Sequence, residues 1–246
     1  MCGRYGLTID QEALSIAYAV DAVLVDHRPR YNIAPSQVVP VMLGDGESPR
    51  IDGFRWGLVP PDAPSPKLSY RTINARSESV ALKPAFRGAW KRRRRCLVLA
   101  DGFYEWQKPA SKKGQRVPFW FRMEDDRPFG FAGLWERWSR DGESLLTCTV
   151  LTTDANALVA PVHDRMPVIL GSPSEWMPWI DSTIASAELS GLLRPCSPVE
   201  MRAHAVSTHV NRAENEGPEC IQPLETDPPT PDASTVEEDP QGVLEL

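Results

Sequence analysis

No apolar run in the 246-residue sequence approaches the roughly 18 residues that a membrane-spanning helix needs. The first residues also lack a basic segment followed by an apolar one. These gaps argue against a membrane span and a secretory signal, so a cytoplasmic chain with reduced cysteines is expected. The five cysteines, Cys2, Cys96, Cys148, Cys196 and Cys220, are odd in number and form no Cys-x-x-Cys pair. That pattern speaks against a disulfide framework and against a structural zinc site, and no metal is expected. Gly-x-Gly-x-x-Gly, the phosphate-loop pattern, internal repeats and regular β-α-β alternation are all missing. A nucleotide cofactor is therefore not expected, and no other cofactor is implied.

Basic residues are missing from the end of the chain. After Glu225 come Asp227, Asp232, Glu237, Glu238, Asp239 and Glu245 without one Lys or Arg, so the net charge of −6 belongs to the tail. Residues 1–225 are formally neutral and can carry a basic face. Residues 226–246, rich in proline and acid and poor in core residues, are expected to be disordered. Such a tail is either simply solvated or shields a basic surface. Residues 2–225 are expected to form a single domain. With 41% hydrophobic residues overall, the chain can bury a substantial core.

Asp10 to Val20 reads as a short helix capped by Asp10. Val38–Leu43, Ile51–Val59, Leu97–Ala100, Pro118–Met123, Phe129–Leu134 and Leu145–Thr152 read as strands, with Val199–Val206 as a further one. The proline-rich segment Pro60–Pro66 reads as a loop. Ser174–Ile180 reads as a capped helical turn and Ile184–Leu193 as a second short helix. Many short strands with few short helices predict an α+β class, mainly β, built around a barrel-like folded sheet flanked by short helices.

The chain begins Met1-Cys2-Gly3-Arg4. Aminopeptidases remove an initiator Met before a small residue such as Cys. Removal gives Cys2 a free α-amine beside its thiol. An α-amine titrates at about 7.7–8.0, against about 10.4 for lysine, so a useful fraction is nucleophilic near neutrality. Such a 1,2-aminothiol condenses with an aldehyde: the amine forms a Schiff base, and sulfur then closes a five-membered thiazolidine. The alternative is an ordinary second residue in a loose terminus.

Other polar clusters follow apolar runs. Asn74-Ala75-Arg76-Ser77-Glu78 reads either as a polar site or as a capped helix start. In Asp101-Gly102-Phe103-Tyr104-Glu105-Trp106, at a strand end, Glu105 stands among aromatics. It is either a proton carrier with a desolvated carboxyl or a surface residue between core rings. His163, in His163-Asp164-Arg165-Met166-Pro167, joins an imidazole to a guanidinium, a setting that His27, His204 and His209 lack. Lys91–Arg95, five consecutive cations, is either a phosphate-binding run or a solvated basic edge. Arg4, Arg76 and Arg165 each lie within two residues of a candidate reactive group, which points to a polyanionic substrate.

Taken in order, several segments resemble the SRAP family, the SOS response-associated peptidases or abasic-site processing proteins. The matching pieces are Cys2-Gly3-Arg4-Tyr5, Tyr31-Asn32-Ile33-Ala34-Pro35, Trp56-Gly57-Leu58-Val59-Pro60, Asn74–Glu78, Gly102–Trp106, His163–Pro167, Trp176–Ile180, Val206-Ser207 with Asn211, and Ile221-Gln222-Pro223. The resemblance implies one α+β domain that senses abasic sites, chiefly in single-stranded DNA, through a covalent thiazolidine. It implies that Cys2 supplies both nucleophiles. Asn74 would position the amine or bind the sugar oxygen, Glu105 would relay protons, and His163 would contact the opened sugar. Arg4, Arg76 and Arg165 would hold flanking phosphates, and Asn32, Pro35 and Thr152 would line the DNA groove.

The expected partner is single-stranded DNA bearing abasic sites, bound by a monomer that is nucleoid-associated while on DNA. Weak lyase activity and self-release of Met1 are compatible with the same chemistry. The aromatic that often follows the family's Trp-Gly-x-x-Pro segment is replaced here by Pro61-Asp62-Ala63-Pro64, with Tyr70 as a candidate substitute. Two other classes fit part of the pattern: an N-terminal-nucleophile cysteine peptidase or amidohydrolase, and a non-covalent single-strand binding module.

Overall fold

Runs of β-branched and aromatic residues form two sheets in the computed structural model, which describes residues 2–44, 48–109 and 115–224. The expected tail, 226–246, lies outside the described residues. In chain order the elements begin with β1 (Tyr5–Leu7), α1 (Gln11–Tyr18), β2 (Ala22–Val23), β3 (Arg30–Ile33), β4 (Val38–Leu43), β5 (Arg50–Trp56) and β6 (Asn74–Arg76). Then come α2 (Pro84–Lys91), β7 (Arg95–Ala100), β8 (Gly102–Gln107), β9 (Val117–Met123), β10 (Phe129–Arg140) and β11 (Glu143–Asp154). The last are β12 (Arg165–Pro167), β13 (Ile169–Leu170), α3 (Pro173–Ile180) and β14 (Met201–Ala205), with short 3-10 turns between. The mainly β, α+β class is as expected.

The first sheet closes on itself. Its order runs β11-β10-β7-β4-β5, and β5 returns to pair in parallel with β11, setting Arg55 against Thr147 and Trp56 against Cys148. The result is a five-stranded barrel, and closure removes the edges an open sheet would expose. β6 and β12 extend it along β11. β7 is buried along its whole length, which accounts for its unbroken apolar run. Tyr5 meets Trp56 and Phe131 edge-on, with centroids 5.2 and 5.5 Å away. Gly57 ends β5 at φ 126°, and a Cβ there would lie 2.5 Å from the Ser69 carbonyl, so only glycine turns the chain at this point.

The second sheet has the order β14-β9-β8-β1-β3. One residue, Asp101, separates β7 from β8, so the chain passes from barrel to second sheet across it. The Asp101 carboxylate accepts from the Thr8 backbone N–H and hydroxyl, fixing the junction. Trp120 lies across Gly6 and Gly102; a Cβ on Gly102 would come within 2.1 Å of its ring. Phe103 stacks on Phe121 with centroids 5.0 Å apart.

Three expectations need correction. Asp101–Trp106 is not merely a strand end: Gly102–Gln107 is itself a strand, in the other sheet. Residues 184–193 are not an α-helix but turns and a 3-10 segment, Ser190–Leu192. The buried Arg95 guanidinium donates to the carbonyls of Trp179, Asp181 and Ile184 and to the Ser186 hydroxyl, drawing the Ile184 carbonyl toward Arg95 and favouring turns over a helix. The cationic run Lys91–Arg95 is neither an open phosphate site nor simply solvated. Arg92 and Arg94 pair with the buried Glu136 carboxylate, and Arg93 bonds the carbonyls of Ser182 and Thr183.

Candidate active site and nucleic-acid cleft

Alternating strand directions gather the reactive residues. β1 runs antiparallel to β3 and β8, and β9 runs antiparallel to β8 and β14. One end of the second sheet therefore holds the entry to β1 (Cys2–Arg4), the end of β3 (Asn32, Ile33) and the end of β8 (Glu105, Trp106). At the same end, Arg116 leads into β9 and the Thr208–Asn211 turn follows β14. These segments are remote in sequence, and the pairing alone makes them neighbours.

Cys2 is fully buried. Its Sγ lies 3.7 Å from the Arg4 carbonyl. The Asn74 side-chain amide donates to the Cys2 carbonyl at 2.6 Å, so β6 of the barrel grips the terminal residue from the second sheet. Burial pushes the Cys2 thiol well above its ordinary range, and the Glu105 charge pushes it further. Glu105 is buried, and loss of solvent raises its carboxyl to about 7. At neutral pH both of its protonation states are populated, which suits proton transfer in either direction.

Burial holds the His163 imidazole below its ordinary pKa. The Arg165 backbone N–H donates to its Nδ1 at 3.0 Å, so Nε2 carries the proton of the neutral ring. Asp164 Oδ1, 2.9 Å from the same Nδ1, becomes an ion-pair partner only when the ring is charged.

Glu105 and His163 open on a cleft of about 1140 Å³ lined also by Gly3, Arg4, Trp106, Arg116, His209, Asn211, Arg212 and Asn215. Its volume exceeds the usual range for small-molecule pockets, and its lining is polar and cationic. Arg4 donates to Asn32 Oδ1 (2.6 Å) and the Val210 carbonyl (2.8 Å), and its guanidinium lies 5.9 Å from the Trp106 ring centroid. The Trp106 indole N–H donates to Asn211 Oδ1 at 2.7 Å. Within the described residues no group of His, Cys, Asp and Glu is placed to hold a metal ion.

Not every candidate faces this cleft. Asn32 is fully buried; its amide nitrogen lies within hydrogen-bond distance of the carbonyls of Val210, Arg212 and Asn215. It fastens the cleft wall rather than presenting a surface. Thr152 is buried on β11, and its carbonyl accepts from Arg165. Arg165 is buried too, with its guanidinium committed to the Glu78 and Asp154 carboxylates. These ion pairs occupy the guanidinium that is expected to hold a phosphate. Arg76 is exposed and sits beside Thr152 in the β6–β11 register. Pro35 is half-buried just beyond β3. Asn74 begins a strand and not a capped helix. Tyr70 is exposed on the 3-10 turn Pro66–Arg71, with Arg71 over its ring, and does not line this cleft.

Sequence reasoning missed Arg116, Arg212 and His209. His209 does share a setting with His163, because both line the same cleft. The nearest signal was Val206-Ser207 with Asn211, which brackets His209 and adjoins Arg212. Nothing local connects that segment to Arg116, 90 residues earlier in the chain.

Comparison with known proteins gives a consistent result. The model of the SOS response associated peptidase (SRAP) family matches residues 1–213. Abasic site processing protein YoqW of Bacillus subtilis is 38% identical over 226 residues, covering 90% of this chain and 99% of that protein. Abasic site processing protein HMCES of Gallus gallus is 34% identical over 232 residues, covering 81% of this chain and 67% of the relative. A crystal structure of a Bacteroides thetaiotaomicron protein shares the fold, with a TM-score of 0.79 at 23% identity over 90% of this chain and 99% of that one. A Bordetella bronchiseptica protein gives 0.71 at 27% identity, covering 84% and 100%.

Proposed function

The chain belongs to the SOS response-associated peptidase family, and on that premise we propose that it recognises abasic sites in single-stranded DNA and caps them covalently through Cys2. The observation that carries the reading is one junction: buried Cys2, held through its carbonyl by Asn74, beside a Glu105 carboxyl that burial raises to about 7 and that lines a cationic cleft.

The chemistry begins once Met1 is removed. The Cys2 amine adds to the aldehyde carbon of the ring-opened deoxyribose, giving a carbinolamine. Glu105, protonated, gives its proton to the departing hydroxyl, and water leaves as the C=N bond forms. The nitrogen keeps its own hydrogen, so the C=N bond is an iminium. The carboxylate then takes the thiol proton while sulfur adds to the iminium carbon and the C=N electron pair returns to nitrogen, closing the thiazolidine and restoring the Glu105 acid. The net change is condensation with loss of one water. A thiol held so far above its ordinary pKa is almost wholly protonated, so a base is required at the moment of attack. A carboxyl that exchanges protons near neutrality serves both steps and their reversal. Closing the ring removes the imine that would otherwise permit β-elimination and strand cleavage.

Asn74 sets the position of the Cys2 backbone, and His163 donates through Nε2 to the opened sugar. Arg4 and Arg76 face flanking phosphates. Arg165, Thr152 and Asn32 act from beneath the surface, the first two by bracing the β6–β11–β12 corner and Asn32 by holding Arg4. Pro35 lies along the groove. All these groups come from one chain, so a single copy carries every group the chemistry needs.

Intact mass of the protein mixed with abasic single-stranded DNA tests this directly, against an undamaged control. A species with the mass of the des-Met protein plus DNA minus one water, stable without reductant, is expected. Protein verified to have lost Met1 that yields no adduct would sink the reading and bring the amidohydrolase alternative forward.

A further inference from the structure

Several arginines in this molecule are already engaged by carboxylates. Arg92 and Arg94 pair with Glu136, Arg122 and Arg202 with Asp126, Arg127 with Asp125 and Glu200, and Arg165 with Glu78 and Asp154. Arg116 and Arg212 differ. Both are exposed, both line the cleft, and neither makes an ion pair among the described residues. Cations left without carboxylates in one concave surface raise the local positive potential, which attracts a polyanion.

The fold holds these side chains close together. β9 and β14 pair antiparallel, Ala205 against Phe119, and the Val206 N–H donates to the Pro118 carbonyl. Arg116, two residues before Pro118, and His209, three after Val206, therefore leave the same end of adjacent strands. Arg212 follows on a segment pinned by Asn32 through the carbonyls of Val210, Arg212 and Asn215. The Asn215 amide lies 3.2 Å from His209 Nδ1, which leaves Nε2 to carry the donor proton of the neutral ring. Trp106, tied to Asn211, stands between this group and Glu105 along β8.

We infer that Arg116, Arg212 and His209 form a phosphate-binding subsite that holds the DNA backbone beyond the abasic nucleotide, past Trp106 from Glu105. The inference rests on the proposed DNA-binding reading and extends it. Two anchor points in one cleft, Arg4 and this subsite past Trp106, give the strand a fixed path beside Glu105 and His163. Binding through backbone phosphates and one indole face reads no base, so the site accepts any sequence around the lesion. A pinned wall also lowers the ordering cost of binding, because its carbonyls are already tied down.

The test is the salt dependence of binding to an undamaged single-stranded oligonucleotide, followed by fluorescence anisotropy. For single strands, each phosphate that a cation neutralises adds roughly 0.7 to the steepness of log Kobs against log salt. The Arg116→Ala/Arg212→Ala variant leaves two phosphates without their cations. It should bind more weakly at low salt, with a slope shallower by roughly 1.4. The charge-matched control Arg137→Ala/Arg140→Ala, whose side chains are exposed on β10 outside the cleft, should keep the wild-type slope. Thermal melting of both variants checks folding. A subsite variant with the wild-type slope overturns the inference, even if abasic crosslinking proceeds normally. Wild-type binding that weakens in the subsite variant, with no adduct on abasic DNA, keeps the subsite and sinks the covalent reading. A wild-type protein with no salt-sensitive binding overturns both.

Discussion

Replacing Glu105 with Gln should make this protein more stable and less active, with the gain in stability confined to neutral and alkaline pH. Burial raises the Glu105 carboxyl from an ordinary 4.5 to about 7. The folded state therefore binds its proton more tightly than the unfolded chain does. Between pH 4.5 and 7 the native protein holds more protons than the unfolded chain, so stability falls as pH rises. Below this window the carboxyl is neutral in both states and costs nothing; above it the ionised group sits desolvated. At about 1.4 kcal/mol per pKa unit, the full cost above pH 7 is roughly 3–4 kcal/mol.

Gln has the same shape and never ionises, so it removes that cost. Urea denaturation of wild type and Glu105→Gln at acid, neutral and alkaline pH measures the difference. The stability gap should widen by roughly 3–4 kcal/mol across the window and then level off. Crosslinking to abasic DNA should slow by roughly a hundredfold or more, as expected when a general acid–base is lost, and reversal should slow with it. Its pH profile should lose the inflection near 7. A stability gap that does not change with pH would refute burial as the source of the raised pKa. An unchanged crosslinking rate would remove Glu105 from the proton relay.

Other outcomes follow from single contacts. Cys2→Ala, or one residue added before Cys2 so that its amine becomes an amide, should abolish the stable adduct, as read by denaturing gel; full crosslinking by either would end the aminothiol mechanism. Asn74→Ala removes the grip on the Cys2 carbonyl and should cost about 0.5–1.5 kcal/mol of stability while slowing condensation, so an unchanged rate would deny it a positioning role. Gly102→Ala drives a methyl into the Trp120 ring and should destabilise by roughly 1–3 kcal/mol in urea; a neutral result would mean the ring is free to move aside. The hydrogen bond from Arg165 lowers the Glu78 carboxyl to about 2, so the stabilisation from this pair is present above 4.5 and is lost as pH falls toward 2. An NMR titration placing Glu78 near 4.5 would contradict that pairing.

Local signals were legible where one residue settles one contact. Asp10 caps α1 by accepting from the Ala13 N–H, as its position ahead of a helical pattern indicates. Val38–Leu43 is a strand over the expected residues. Ile184–Leu193 misled because its helical composition says nothing of Arg95, 89 residues away from Ile184, which binds the Ile184 carbonyl and the Ser186 hydroxyl. Asn74 misled in the same way: its cap-like chemistry is local, whereas its pairing with Val150 on β11 is not.

The same division runs through the site. The amino-acid order alone carried the aminothiol of Cys2, the ordered motifs from Cys2 to Pro223, and the neutral balance of the chain before its acidic end, because these are matters of covalent chemistry and composition. The tertiary structure set which arginines are available. Arg165 and Arg92–Arg95 were conspicuous in the sequence and are spent on carboxylates and carbonyls, while Arg116 and Arg212 were inconspicuous and line the cleft. It also made Glu105 a carboxyl that titrates near neutrality. Burial, ion pairing and strand register depend on contacts between distant segments, and those contacts exist only once the two sheets have assembled.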